Sequence, residues 1–267
     1  MTTATVINSQ EAIQARFDEG RIPRYGPLLV LVARSAFILL TQGLVLLLFF
    51  ALQIPDATVV IRNWWPVYGT LVDLGCLATM YSLTKREGIR LLDLIGIVKS
   101  RLKKEIPLGI GLFILIFPVA MLGGGALGQL LIYGKLNPAF PQYTYNDRVL
   151  PLAALLYARL IWWTIWSATE EITYNGYALP RLIAITGSRW LSVIVVAYFF
   201  ALASFFALQH SFLMLAGLQF FVYIFITFVP LSIAMVLAYL KLRRLPPLIV
   251  AHWLMDLSNV WLLYRVG

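Results

Sequence analysis

The sequence predicts an all-α fold, a polytopic transmembrane bundle of about seven to eight spans, and three observations carry that prediction. Apolar residues make up 61% of the 267 and charged residues only 12%, with a mean hydropathy of +0.83. Soluble domains carry about 25% charge, so half of that with this much apolar mass excludes a water-soluble core. The apolar residues also fall into runs near 27–53, 63–83, 107–133, 150–178, 189–211, 216–240 and 245–264. Each run reaches the length of about 20 residues that crosses about 30 Å of hydrocarbon. Finally, the cations sit in the short connectors between these runs.

Taken in order, residues 1–26 read as a polar cytosolic arm and 27–267 as the membrane domain. The opening stretch MTTATVINSQEAIQARFDEG lacks the basic-then-apolar order of a signal peptide, so the first apolar helix is expected to be its own insertion signal. Between the second and third runs lies KREGIRLLDLIGIVKSRLKKE, in which seven basic residues alternate with aliphatic ones. That pattern predicts a basic amphipathic helix over 85–104, lying in the membrane interface. Placing the N-terminus inside puts fifteen cationic residues on the cytosolic side, against Arg62, Lys135, Arg148 and Arg265 outside. The positive-inside rule therefore predicts a multi-pass cell-membrane protein with a cytosolic N-terminus and an outer C-terminus.

The net charge of +9 does not point to nucleic acid, because the cations form no continuous stripe; they suit anionic lipid headgroups instead. Cys76 stands alone in an apolar run, which excludes a disulfide framework and a cysteine metal cluster. The glycine-rich run MLGGGALGQ (121–129) lies inside a span, where small residues allow close helix packing. Trp64, Trp65, Trp162, Trp163 and Trp166 are expected in interfacial belts.

Ionisable side chains at membrane depth cost at least about 2–3 kcal/mol each and usually mark function. Here they are Arg34, Asp73, Arg159, Glu170, Glu171, His210, His252 and Asp256, and both histidines of the chain are among them. Residues four apart share a helix face. His252 and Asp256 have that spacing, as do Glu171 and Asn175, and Glu170 and Tyr174. A carboxylate and two imidazoles in a partly dry cavity can deprotonate water and polarise a carbonyl. Arg34 and Asp73 belong to no such pattern and are expected to be packing or interface residues.

The stretch EEITYNGY (170–177), then FALQH (206–210), then HWLMD (252–256) resembles three motifs of the CAAX prenyl endopeptidase and bacteriocin-processing (CPBP) family of intramembrane proteases. The resemblance covers a protease core of about 85–264. It implies a hydrolase, an endopeptidase acting on membrane-associated peptides or proteins. Carried over by residue, it implies that Glu170 and His210 activate water and that His252 with Asp256 stabilises the oxyanion. Glu171 would assist or play a structural part. No cofactor is expected; should a divalent metal such as zinc take part, Glu170, His210 and His252 would be its donors. The expected partners are membrane lipid and a peptide or membrane-protein substrate.

The chain departs from the family pattern at Asn175, where the first motif carries Arg. Two adjacent glutamates repel each other without a cation, and Arg159 and Arg181 are the expected substitutes. The spans add a constraint of depth, since straight helices would leave Glu170 and His210 near opposite faces. Their convergence requires tilted helices or irregular backbone near 177–188. Two other functions compete with proteolysis. One is a non-catalytic family member that binds a partner, for example in self-immunity to a bacteriocin. The other is a small proton-coupled transporter, which would normally show inverted repeats.

Overall fold

The computed structural model describes residues 6–119, 125–136, 148–209 and 217–267. These are helical apart from turns and one short strand pair. In chain order the helices are α1 Gln10–Asp18, α2 Gly26–Ala51, α3 Ala57–Val60, α4 Trp65–Glu87, α5 Leu102–Pro118, α6 Leu127–Tyr133, α7 Leu152–Tyr157, α8 Trp163–Glu171, α9 Leu179–Thr186, α10 Arg189–Gln209, α11 Leu218–Leu242 and α12 Pro246–Leu263. Helices α7, α8 and α9 join through π-helical turns at Ala158–Trp162 and Ile172–Ala178 into one continuous run. Strands β1 Arg148–Leu150 and β2 Tyr264–Val266 pair in parallel.

Every apolar run of the sequence therefore carries a helix. Among the described residues three of these, α2, α10 and α11, are long and apolar enough to cross a membrane by length and composition. Helix α4 is continuous but less apolar, carrying Asp73 and a charged last turn, and α5 and α12 are shorter.

The interfacial helix expected over 85–104 does not form. Helix α4 runs on to Glu87 and ends at Gly88, whose φ of +74° places it in the left-handed region. There the Gly88 and Ile89 amides donate to the carbonyls of Lys85 and Thr84, closing the helix as glycine C-caps do. Gly96, at φ +68°, breaks the segment a second time. What remains is two 3₁₀ turns, Leu91–Leu94 and Lys99–Arg101, before α5 begins. The aliphatic periodicity was real, but two glycines at positive φ override it.

The tryptophans also differ from the expected belt. Trp65, Trp162, Trp163 and Trp166 are buried, and the rings of Trp65, Trp162 and Trp166 stack edge-on or tilted at 5.1–6.0 Å. They fill the contact between α4 and α8 rather than its lipid edge. Across from them, a Cβ on Gly109 of α5 would stand 2.5 Å from Val250 Cβ and 2.7 Å from the Pro247 carbonyl of α12. Only glycine permits so close an approach. That contact fixes the start of α12, which carries His252.

At one end of the bundle the N-terminal segment docks against the other helices. Asn8 is buried; its Nδ2 donates to the Gly176 carbonyl (2.9 Å) in the second π turn and to Tyr239 Oη (3.2 Å). Beside it, Arg181 binds Glu87 through Nε (2.8 Å) and Nη2 (2.5 Å), and Arg16 Nε lies 3.4 Å from the same carboxylate. Burial and the neighbouring Arg181 push the Arg16 guanidinium below its ordinary range. At the far end of α4, Tyr264 Oη accepts from Arg148 Nη1 (3.1 Å) and donates to the Arg62 carbonyl (3.4 Å). Arg159 Nη2 donates to the Tyr264 carbonyl (2.8 Å) and its guanidinium lies over Trp261.

Because Arg181 and Glu87 are both fully buried, removing one leaves a charge with no water to solvate it. Glu87→Ala should destabilise the folded protein by about 3–5 kcal/mol. Arg90→Ala removes a guanidinium that is 86% exposed and should change stability by under about 1 kcal/mol. Thermal unfolding in detergent micelles measures both, and equal melting shifts for the two variants would contradict the burial of the first pair.

Candidate active site

Helices α8 and α12 run antiparallel. Arg159 meets Tyr264 at one level, and about three turns further on Glu170 meets His252. Glu170 and Glu171 are the last two residues of α8, immediately before the second π turn. Successive residues point about 100° apart on a helix, so the two carboxylates flank whatever lies between them. What lies between them is the His252 imidazole. Its Nδ1 is 2.8 Å from Glu171 Oε1 and its Nε2 is 3.1 Å from Glu170 Oε2. Asp256, one turn along α12, approaches the same Nε2 with its Oδ2 at 3.5 Å.

The remaining lone pairs are taken up from elsewhere in the fold. Glu171 Oε2 accepts from Asn175 Nδ2 at 2.8 Å. Glu170 Oε1 accepts from Arg34 Nε at 2.9 Å, with Arg34 Nη2 at 2.8 Å. Arg34 Nη1 in turn faces Asp73 Oδ1 at 3.4 Å and Cys76 Sγ at 3.8 Å, and the guanidinium stacks 4.1 Å over the Trp166 ring. Glu170, Glu171 and His252 are 6%, 2% and 6% exposed, and Arg34 and Asp73 are wholly buried. The ring of Phe200 on α10 lies 6.1 Å from that of His252 and 5.2 Å from that of Tyr174, giving the site an aromatic wall.

Four of the five residues singled out by sequence, Glu170, Glu171, His252 and Asp256, thus converge. His210 lies outside the described residues. Two expectations are corrected. Neither Arg159 nor Arg181 substitutes for the missing motif arginine, since the first binds the Tyr264 carbonyl and the second is held by Glu87. Arg34 and Asp73 are not packing residues either, but part of the same buried network. A signal for this was present in the sequence. Charges at membrane depth need partners of opposite sign, and four carboxyl groups stood against the cations Arg34 and Arg159.

The arrangement suits proton transfer. A neutral imidazole accepts a proton at one ring nitrogen and releases one from the other, and here each nitrogen meets a different glutamate. Among the described residues no set of three His, Cys, Asp or Glu side chains is arranged to hold a metal ion. Glu170 Oε1 is already held by a guanidinium, and both nitrogens of His252 face carboxylates.

Asn175 supplies the donor to Glu171, so its loss has a defined cost. Asn175→Ala should lower stability by about 1–3 kcal/mol, the cost of a buried acceptor left without a donor. Asn175→Asp should be worse, because it sets a third carboxylate against Glu171. Melting temperatures of the two variants test this ranking.

No curated protein matches this chain, and no solved structure does. Residues 151–258, the stretch that carries Glu170, Glu171, His210, His252 and Asp256, match the family model described as type II CAAX prenyl endopeptidase, Rce1-like. That family is a family of proteases, and among the described residues three helices are long and apolar enough to cross a membrane. The match covers less than half of the chain and supports the resemblance to the CPBP family of CAAX-protease-like proteins that the three motifs carry.

Proposed function

We propose that this protein is an intramembrane endopeptidase that cleaves membrane-associated peptides or proteins with water activated by Glu170. The observation that carries this reading is the single imidazole of His252 held between two buried glutamates on a facing helix. Polar clamps between spans are side chains that hydrogen-bond across the helices. Two carboxylates, an imidazole, a third carboxyl and a guanidinium are the equipment of acid–base chemistry.

In the proposed reaction, water and the scissile carbonyl enter where Glu170 Oε2 and His252 Nε2 now meet at 3.1 Å. Glu170 takes a proton from the water, and the resulting hydroxide adds to the carbonyl carbon. The carbonyl oxygen becomes an oxyanion, which a His252 N–H stabilises by hydrogen bonding. Collapse of the tetrahedral adduct breaks the C–N bond, and the leaving amine receives the proton carried by Glu170. His210 is the sequence-assigned partner of Glu170 in water activation. Asp256, one helical turn from His252 with its Oδ2 3.5 Å from Nε2, acts by orienting the ring. Glu171 holds the other edge of the ring.

In the membrane, the seven apolar helical runs would cross in alternating directions. The N-terminal segment, Glu87, Arg181 and Arg244 would then face the cytosol, with Arg62 and Arg148 outside. The clustering of Asn8, Arg16, Glu87 and Arg181 at one end of α4, and of Arg62, Arg148 and Tyr264 at the other, supports this orientation. Arg34 supplies a cation to Glu170 and Asn175 a neutral donor to Glu171, which supports the protease reading over the partner-binding alternative.

Glu170→Gln keeps the size of the side chain and removes its basicity. Turnover of the purified protein on a lipid-anchored peptide should fall at least about a hundredfold, with insertion and folding retained. His252→Ala should fall comparably through lost oxyanion stabilisation. A metal chelator should leave the rate unchanged, and inhibition reversed by adding zinc would replace this mechanism with a metal-dependent one. Full cleavage by Glu170→Gln would end the protease reading.

A further inference from the structure

We propose that Arg34 is a positioning residue of this active site, contributed by α2 from outside the segment that matches the protease family. The inference rests on the endopeptidase reading for its functional meaning, and on geometry alone for the pairing itself. Arg34 is fully buried within a 26-residue apolar helix, where an unpaired guanidinium could not persist. Two of its nitrogens lie 2.9 and 2.8 Å from one oxygen of Glu170, Oε1. The other oxygen, Oε2, is left facing His252. A guanidinium that grips one carboxylate oxygen fixes the rotation of the whole group. It therefore decides which oxygen, and which lone pairs, meet the imidazole and the incoming water.

The guanidinium is itself held on three other sides. Asp73 Oδ1 lies at 3.4 Å, Cys76 Sγ at 3.8 Å, and the Trp166 ring at 4.1 Å from its centre. Trp166 and Glu170 are four residues apart on α8, so one face of that helix presents both the aromatic plate and the carboxylate to Arg34. Asp73 and Cys76 come from α4. Three helices thus meet at one cation, and the geometry of the glutamate depends on all of them. No arginine or lysine other than Arg34 contacts the glutamate pair among the described residues, and position 175 supplies a neutral amide to Glu171.

The experiment uses the full chain in lipid nanodiscs, with a set of lipid-anchored peptides whose cleavage is read by mass spectrometry. Arg34→Gln should lower kcat at least about tenfold, while KM on the peptide that the wild type cleaves best stays within about twofold. Adding Asn175→Arg, which returns a guanidinium to the glutamate pair from the other side, should recover a large part of that loss. Unchanged kcat in Arg34→Gln, or a folded double variant with no recovery, would overturn the proposal. If Arg34→Gln does not insert, Asn175→Arg alone decides. It should give no gain where Arg34 already serves the pair, and a severalfold gain would mean that the wild-type site lacks its cation. Thermal unfolding adds a readout independent of cleavage. Arg34→Gln with Glu170→Gln should melt above Arg34→Gln alone, because the second change removes the charge that the first left unpaired. A double variant melting lower by the sum of both shifts would overturn the pairing. Should the wild type cleave no peptide, the endopeptidase reading fails, while this melting comparison still tests Arg34.

Discussion

The structure depends on the contact between one imidazole and two adjacent glutamates in a medium that cannot solvate any of them. A buried carboxylate without partners costs several kcal/mol, so Glu170 and Glu171 can be present only where each oxygen has a donor. The ring nitrogens of His252 meet one oxygen of each, while Arg34 donates to the second oxygen of Glu170 and Asn175 to the second oxygen of Glu171. These donors come from α12, α2 and the π turn after α8. Their positions relative to one another are therefore set by the charge balance of the site as much as by apolar packing.

Backbone irregularity is what lets those donors arrive. The α7–α9 run contains two π turns, and the second begins one residue after Glu171. A π turn leaves backbone carbonyls without their usual helical partners. The Gly176 carbonyl is taken by Asn8, a residue 168 positions away in sequence. The N-terminal segment is thus a brace for the site helix rather than a loose polar extension. On the other side of the site, the absence of a side chain at Gly109 lets α5 press against Pro247 and Val250. That contact holds the first turns of α12 and hence the level of His252. Gln42, two turns beyond Arg34 on α2, donates to the Phe206 carbonyl at 2.8 Å, so the same helix that grips Glu170 also ties α10 into the site.

Much of this was legible in the sequence, for reasons that can be named. Hydrophobic runs of membrane-crossing length predicted helices in the right places, because a backbone in hydrocarbon must satisfy its own hydrogen bonds. The i, i+4 spacing of His252 and Asp256, and the adjacency of Glu170 and Glu171, put the right side chains on the right faces. The interfacial helix over 85–104 failed because aliphatic periodicity says nothing about Gly88 and Gly96 at positive φ. The tryptophan belt failed because a ring between α4 and α8 has the same composition signal as a ring facing lipid.

The sequence by itself determined the class of the molecule, the helical segments and the residues too costly to bury without purpose. Those properties follow from local chemistry: hydropathy, helix period and the free energy of a charge in a low-dielectric medium. Tertiary structure alone decided which charge answers which. Arg159, Arg181 and Arg34 are chemically equivalent guanidiniums, and sequence distance favoured the first two as partners of Glu171. Packing sent Arg159 to the Tyr264 carbonyl, Arg181 to Glu87 and Arg34 to Glu170. Pairing in a bundle is set by which helix faces meet at the same depth, and a one-dimensional pattern does not contain that information.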